Sequence, residues 1–217
     1  AGARVHFHSG SGLWISSGGT LRVDAANAGS FENPVLLQGD RLEPFYRDIA
    51  GQWGGLLGGI FIQRGARAEI QNAWIRNGTL GIRCDSVAEG EPFNLILRRS
   101  RVTDFSRAAV YSGHGRVRLE NSVLANSGLY QVYTLGGRLE ADHCTFSNNF
   151  PGARSPPSVG LFIRYDDGTG TFRYRGLLQA DFRNCIVEGG QESEIGFGYG
   201  SQAAFNYRFE GSLLKLN

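Results

Sequence analysis

The chain has 217 residues, a formal net charge of +2, 41% hydrophobic residues, 32 glycines and 6 prolines. Its basic residues are scattered along the sequence, which excludes the concentrated basic face that a nucleic-acid-binding protein needs. Its apolar runs all fall short of the roughly 18 residues that a membrane-spanning helix requires.

Short strands separated by glycine and serine corners are predicted from the start of the chain. Alternating or apolar runs at 5–8, 13–15 and 21–23 are separated by Gly/Ser turns, and 34–39 forms the next strand. Three such strands make one triangular coil. No helical period of 3.6 residues is sustained anywhere, so we expect an all-β chain.

One pattern recurs from residue 68 to the end of the chain. A first apolar position recurs at Ile75, Val102, Leu124, Phe146, Val187 and Leu214. A second lies five residues earlier, at Ile70, Leu97, Leu119, Ala141, Phe182 and Phe209. A third strand is marked by Ile82, Val110, Val132 and Ile195. The spacing predicts a solenoid of about 22-residue coils with two long loop insertions.

These coils predict one parallel solenoid domain over residues 1–217. A single coil cannot bury its apolar face alone, so each coil must stack on its neighbours. The chain lacks a starting Met, and its last copy stops with the coil unfinished. We therefore expect the central segment of a longer protein, whose solenoid ends offer strand edges for assembly.

The first insertion, 40–55, alternates charges and carries aromatic residues without a strand period. Long irregular loops are usually functional or packed as a cap. A cap would pair its charges internally and bury Trp53, whose following glycines allow close packing. A binding loop would instead expose Tyr46, the better candidate, as a stacking platform. The candidate binding residues in this loop are Asp40, Arg41, Glu43, Tyr46, Asp48 and Trp53.

The second insertion, 149–176, is expected to leave the wall of the solenoid and to contain a hairpin. An Asp-Gly pair flanked by alternating residues is a strong turn signal. Tyr165, Asp166 and Asp167 are candidate binding residues at its tip. Ca²⁺ binding there is conceivable, but the two carboxylates fall short of a complete set of ligands.

Other metal or redox chemistry finds little support. His6 and His8 lie on one face of a strand without a third ligand. Asn77, Asp104, Asn126 and Asn148 form a column that predicts a structural ladder at a coil corner. His143 shares a second corner column and is expected to be exposed. No metal site is predicted.

The cysteines are expected to be structural. Cys144 and Cys185 occupy the same small inward position in consecutive coils. Parallel side chains of equal direction rarely reach the dihedral angle of a disulfide, so buried free thiols are predicted.

No pair of carboxylates with catalytic spacing is evident. Asp142 and Asp181, one position apart in register, are the nearest acidic pair that the repeat alignment gives. Lys215 is the only lysine, so nearly all positive charge belongs to arginine, whose planar group can bind the carboxylates of acidic sugars. No catalytic residue is predicted.

The coils resemble the right-handed parallel β-helix repeat proteins, the superfold of the pectate lyases. A signature block of secreted β-helix lipoproteins of Gram-negative bacteria is similar to Gln38-Gly-Asp-Arg-Leu-Glu-Pro-Phe-Tyr-Arg-Asp-Ile-Ala-Gly-Gln-Trp-Gly-Gly55. The resemblance implies an extracellular or outer-membrane-surface location. Lyases of this superfold hold Ca²⁺ with wall carboxylates, and that acidic cluster is missing here.

Two functions follow as hypotheses. The first is a non-catalytic structural or binding role on a partner protein or glycan, through the two insertions. The alternative is a polysaccharide lyase or glycoside hydrolase acting on acidic glycans, which only the fold supports.

Overall fold

The structure, a computed structural model, describes residues 2–24, 32–88, 90–152 and 155–217. In these ranges the chain forms strands and no helix. In chain order the strands are β1 (Arg4–Phe7), β2 (Leu13–Ile15), β3 (Thr20–Asp24), β4 (Val35–Gly39), β5 (Ile60–Ile62), β6 (Arg67–Gln71), β7 (Ala73–Arg76), β8 (Leu80–Cys84), β9 (Leu95–Arg98), β10 (Arg101–Phe105), β11 (Ala108–Ser112), β12 (Arg116–Glu120), β13 (Val123–Ser127), β14 (Tyr130–Leu135), β15 (Gly137–Asp142), β16 (Thr145–Asn148), β17 (Val159–Phe162), β18 (Arg164–Asp166), β19 (Phe172–Tyr174), β20 (Leu177–Arg183), β21 (Ile186–Gly189), β22 (Ile195–Gly198), β23 (Arg208–Glu210) and β24 (Leu213–Leu214). The long apolar helix that a membrane span would need is therefore not among the elements of the described part.

The chain winds through three parallel sheets in turn. Sheet I has the order β1-β4-β7-β10-β13-β16-β21-β24, and sheet II has the order β2-β5-β8-β11-β14-β17-β22. Sheet III has the order β3-β6-β9-β12-β15-β20-β23. Each sheet receives one strand from each coil, which is the architecture of a parallel β-helix. The predicted all-β solenoid is confirmed.

The predicted apolar columns are register columns of these sheets. In sheet I, Val102 lies beside Ile75 on one side and Leu124 on the other. The column continues through Phe146 to Val187. These side chains are at most 1% exposed, so the columns form the core of the solenoid. Burial of apolar side chains in stacked layers is what holds one coil on the next.

The corners on either side of sheet I use residues in the left-handed backbone region. One corner column has φ of 45–52° and contains Asn72, Arg99, Asn121, His143 and Asn184. Five residues later, Asn77, Asp104 and Asn126 have φ of 56–63°. Asparagine tolerates this conformation better than most residues because its short side chain hydrogen-bonds locally. His143 is exposed, as predicted.

The predicted asparagine column is structural. The side chain of Asn77 accepts a hydrogen bond from Gly39 N at 2.9 Å and donates one to Arg47 O at 2.9 Å. Asn148 exchanges two bonds with the backbone of Ser127. Both amides are fully buried, so these bonds satisfy polar groups that would otherwise destabilise the fold.

The first insertion folds onto the wall through Trp53. Its indole ring is 1% exposed and stacks on Phe7, with ring centroids 4.2 Å apart. Its Nε1 donates a hydrogen bond to Arg76 O at 2.8 Å. Gly59 makes room for the ring, because a Cβ there would lie 2.5 Å from it. The inward packing predicted for Trp53 is confirmed.

The second insertion was predicted as one excursion from the wall, and this is wrong. Its middle returns as β17, which pairs with β14 and β22 in sheet II. The segment is therefore two loops around a wall strand, and the short run Val-Gly-Leu-Phe lacks the alternation that marks its neighbours. The predicted hairpin is present as β18 and β19, with Arg164 beside Tyr174.

The cysteines are free and buried, as predicted. Cys144 and Cys185 lie at the start of neighbouring sheet I strands. A hydrogen bond with Cys185, followed by burial, raises the pKa of the Cys144 thiol. Both observations fit thiols that fill a small inward position.

Replacing Trp53 tests whether this loop stabilises the solenoid. We expect Trp53→Ala to lower the free energy of unfolding by about 3–5 kcal/mol, because it empties a packed aromatic site. The matched control is Phe45→Ala in the same loop. Phe45 is 75% exposed, so its loss should cost at most about 0.5 kcal/mol. Equal losses in urea denaturation would contradict this account of the loop.

Candidate functional site

The outer face of sheet II carries an aromatic row. Register partners on five successive strands are Trp14, Phe61, Arg83, Tyr111 and Tyr133. Each follows an inward residue of the buried column, and side chains alternate between the two faces of a strand. The row therefore lies outside the core column that contains Ile82, Val110 and Val132.

Stacked aromatic rings make the row continuous from Tyr111 onward. The rings of Tyr111 and Tyr133 are parallel within 3°, with centroids 5.0 Å apart. Phe162 stacks on Tyr133 at 5.1 Å. The guanidinium of Arg83 lies 4.8 Å from the Phe61 ring and 5.8 Å from the Tyr111 ring. Because the ring faces meet one another, their edges and hydroxyls are the groups left for solvent or a ligand.

Glycines allow Phe162 to join the row. Gly160, the register partner of Tyr133, would place a Cβ 2.6 Å from the Phe162 ring. On the next strand, a Cβ on Gly198 would lie 2.2 Å from the same ring, and one on Gly196 would lie 3.9 Å from it. A side chain at Gly160 would displace the ring from the stack.

A cleft of about 470 Å³ opens beside the row. Leu80 and Ala108 are buried at its base. The other residues that line it are Leu56, Arg83, Arg107, Tyr111, Leu129, Tyr130 and Tyr133. An apolar base with a few polar groups is typical of a small-ligand site.

Every polar side chain that lines the cleft can donate a hydrogen bond. The hydroxyls of Tyr111, Tyr130 and Tyr133 make no hydrogen bond within the described ranges. Burial raises the pKa of Tyr130, and burial followed by the neighbouring tyrosines raises the pKa of Tyr133 to about 12. Tyr130 and Tyr133 therefore stay protonated at neutral pH and available as donors.

Two arginines give the cleft positive charge. Arg107 is exposed, and its side chain makes no ion pair among the residues that the structure describes. Arg83 faces Asp85 at 3.7 Å, and its Nε is buried without a hydrogen-bond partner. No carboxylate or histidine belongs to the described lining. The cleft thus suits a ligand with negative charge and several acceptor oxygens.

The candidate residues of the first insertion lie elsewhere, over sheet I. Asp40 pairs with His8 at 2.7 Å, and the Arg41 guanidinium lies 3.4 Å from the centroid of the Tyr46 ring. The backbone oxygen of Glu43 accepts a hydrogen bond from Tyr46 N. Tyr46 is only half-buried, and the neighbouring Phe45 is the ring that faces solvent. The stacking platform expected at Tyr46 is thus occupied by Arg41.

The charges of that loop pair with the wall as well as with one another. Asp48 binds Arg47 within the loop and Arg76 on β7. The hydrogen bond from Arg47, with that from Arg76, lowers the pKa of Asp48 against the opposing effect of desolvation. The predicted pairing of charges within the loop is thus confirmed for one pair, Arg47 with Asp48. A second open cleft, near Trp74, lies between this part of the loop and sheet I.

The hairpin residues are occupied by their own turn. Asp166 accepts a hydrogen bond from Gly168 N at 2.9 Å, and Asp167 pairs with Arg173 at 2.9 Å. Tyr165 lies under the Arg175 guanidinium, 5.1 Å away. In the described ranges no three His, Cys, Asp or Glu side chains form a group that could hold a metal ion.

Sheet III corrects the predicted acidic pair. Asp181 lies beside Glu140, and Asp142 lies beside Arg183, so Asp142 and Asp181 are two positions apart in register and not one as predicted. The Nε2 of Gln179 donates to Asp181 at 2.7 Å and lies 3.5 Å from Glu140. Arg118 binds Glu140 at 2.7 Å. Two carboxylates therefore sit on neighbouring strands within a network of arginines.

No family model, curated protein or solved structure matches this chain.

The aromatic row was missed at the sequence level although the signal was present. The residue that follows each apolar residue of the third strand faces outward. Reading Arg83, Tyr111 and Tyr133 at that position would have placed them in line. The sequence pattern does not identify Phe162 as part of the row, because β17 falls within the predicted second insertion.

The Tyr133 phenol predicts a change of stability at high pH. The folded state holds this proton more tightly than the unfolded chain, whose phenols titrate near 10.0. Stability from this group is therefore complete below pH 10.0 and is lost as pH rises towards about 12. Denaturant unfolding at several pH values should show a smaller loss in Tyr133→Phe. The same loss in both proteins would show that Tyr133 is not the group responsible.

Proposed function

We propose that this chain is a non-catalytic binding protein for acidic glycans and that the sheet II cleft is its binding site. The observation that carries the proposal is one cleft lined by two arginines and three tyrosines. We place the protein outside the cell or at the outer-membrane surface, in keeping with the resemblance of its coils and its 38–55 block to secreted β-helix proteins.

The chemistry of the cleft favours an acidic sugar over a neutral apolar ligand. A guanidinium binds a carboxylate with two parallel hydrogen bonds, and the phenols can bond sugar hydroxyls. The apolar base formed by Leu80 and Ala108 accepts the C–H surface of a sugar ring. A purely apolar ligand would leave Arg107 without a counter-charge and the Nε of Arg83 without a hydrogen-bond partner.

The same lining favours binding over catalysis. A general base works best when its pKa lies near the working pH. The raised pKa values of Tyr130 and Tyr133 move these groups away from that range. The cleft supplies fixed donors and positive charge, which serve recognition.

Arg107 provides a direct test because its side chain is free for a ligand. We expect Arg107→Ala to weaken binding to an oligouronate at least about tenfold, since a hydrogen bond to a charged group contributes about 1.5–3 kcal/mol. Arg64→Ala is the matched control, because Arg64 is equally an exposed arginine and lies outside the cleft. A glycan array would first identify the acidic glycan, and calorimetry would then compare the variants.

The proposal fails if no acidic glycan binds the wild-type chain. It also fails if Arg64→Ala and Arg107→Ala weaken binding equally, because the effect would then reflect net charge alone.

A second candidate function is cleavage of acidic glycans on sheet III. The observation in its favour is the adjacent pair Glu140 and Asp181, since neighbouring strands lie roughly 4.8 Å apart and retaining glycosidases hold two carboxyls about 5–5.5 Å apart. Against it, Arg118 and Gln179 already occupy these carboxylates.

Incubation with uronate polymers separates the two functions. We expect neither unsaturated products nor new reducing ends, with or without added Ca²⁺, because the occupied carboxylates lack a free acid or base. Product formation that disappears in Glu140→Gln, while Arg107→Ala retains it, would replace the binding proposal with the enzymatic one.

A further inference from the structure

We infer that the ligand of the sheet II cleft is a polysaccharide chain running along the solenoid axis, and that Trp14 is a second subsite for it. This inference rests on the proposed function, because it extends the same binding surface by two coils. Trp14 belongs to the same outward column as Arg83, Tyr111 and Tyr133.

Trp14 differs from the stacked rings of the row because its only ring contact in the described chain is an edge contact. Tyr111, Tyr133 and Phe162 stack face to face. Trp14 contacts only Phe61 among the described aromatic rings, in an edge arrangement at 86° with centroids 6.0 Å apart. An edge contact leaves at least one face of the indole without a ring partner. Its 59% exposure opens that face to solvent.

A free indole face is a suitable platform for a sugar ring. Tryptophan presents a large rigid apolar surface at low cost in conformational entropy, and such residues dominate recognition energies. In the described part of the chain, three other aromatic side chains are more than half exposed: Phe45, Phe172 and Tyr199. None of these three belongs to the column that leads into the cleft.

The distance between Trp14 and the cleft sets the size of the ligand. Two strand spacings separate Trp14 from Arg83, or about 10 Å, and four separate it from Tyr133, or about 19 Å. One sugar unit in the cleft cannot reach the indole. An oligosaccharide can lie across both sites, because Phe61 between them is buried at 8% exposure, with Trp14 and the Arg83 guanidinium against its ring.

The charge pattern agrees with a repeated acidic unit. Both arginines line the cleft, and Arg83 is the one that belongs to the row, between Trp14 and the tyrosines. Successive carboxylates of a uronate chain could therefore meet one arginine each, while an apolar sugar face rests on Trp14. A single small carboxylate would use the cleft and leave Trp14 unchanged.

The test compares two ligand lengths on two matched variants. Calorimetry would measure the affinity of a disaccharide and a hexasaccharide of the acidic glycan for the wild type, Trp14→Ala and Tyr199→Ala. Tyr199 is 76% exposed and lies outside the row, so it controls for loss of an exposed aromatic side chain. We expect Trp14→Ala to weaken hexasaccharide binding about tenfold or more, with the disaccharide affinity unchanged.

A second measurement keeps the inference testable if Trp14→Ala does not fold. Trp53 is buried and Trp74 is half-buried, so iodide should quench mainly Trp14 in the wild-type chain. The hexasaccharide should reduce that quenching, and the disaccharide should not.

Equal hexasaccharide affinity in the wild type and Trp14→Ala, or unchanged iodide quenching, would overturn the second subsite and leave the cleft proposal intact. Absence of binding by both ligands to the wild type would overturn the cleft proposal and the second subsite together. Equal weakening by Trp14→Ala and Tyr199→Ala would overturn the role of Trp14.

Discussion

Left-handed corners spaced five residues apart are the constraint on which the other features of this solenoid depend. In one coil, Asn121 and Asn126 have φ of 49° and 56°, and the next coil repeats the first corner at His143 with φ of 52°. Such a conformation costs an L-residue roughly 1–2 kcal/mol, which side-chain hydrogen bonds along the stack offset. The first corner recurs at the same place in five successive coils and the second in three of them, so the strands between them stack without slipping.

Register at the corners carries over to both faces of the sheets. Inside, it aligns Ile75, Val102 and Leu124 into a buried column. Outside, it aligns residues that are far apart in sequence, so that Tyr111 stacks on Tyr133 with nearly parallel rings. A slip of one residue would turn each side chain to the opposite face. The proposed binding surface is thus a direct product of the same register that builds the core.

Loop 40–59 connects the core to two different surfaces. Trp53 anchors it against Phe7. On one side of this anchor the loop borders the sheet I cleft with Arg47 and Asp48, and on the other side Leu56 lines the sheet II cleft. The loop therefore packs as the predicted cap, and Leu56, the residue after the predicted insertion, borders the proposed site. The Trp53 ring stabilises the fold, and the residues on either side of Trp53 border the two clefts.

The core could be predicted from the sequence because buried positions carry the same type of residue in each coil. Both apolar columns, both corner columns and the burial of Trp53 follow from residue type and spacing. β17 could not be recognised, since Gly160 stands where the two preceding coils carry Tyr111 and Tyr133, and Phe162 fills the space from two residues away. The cleft was also beyond prediction, because it needs the distance between a corner residue, Arg107, and rings on two strands, β11 and β14. Outward positions vary freely in polarity, so no apolar pattern marks them.

The most direct test of the central claim is a crystal structure of this chain with an acidic hexasaccharide. The account predicts that a sugar carboxylate contacts Arg107 in the sheet II cleft, that the chain continues along the row past Arg83, and that one sugar ring lies on the face of Trp14. A hexasaccharide seated against Glu140 and Asp181 on sheet III, or against Trp74 on sheet I, would contradict it.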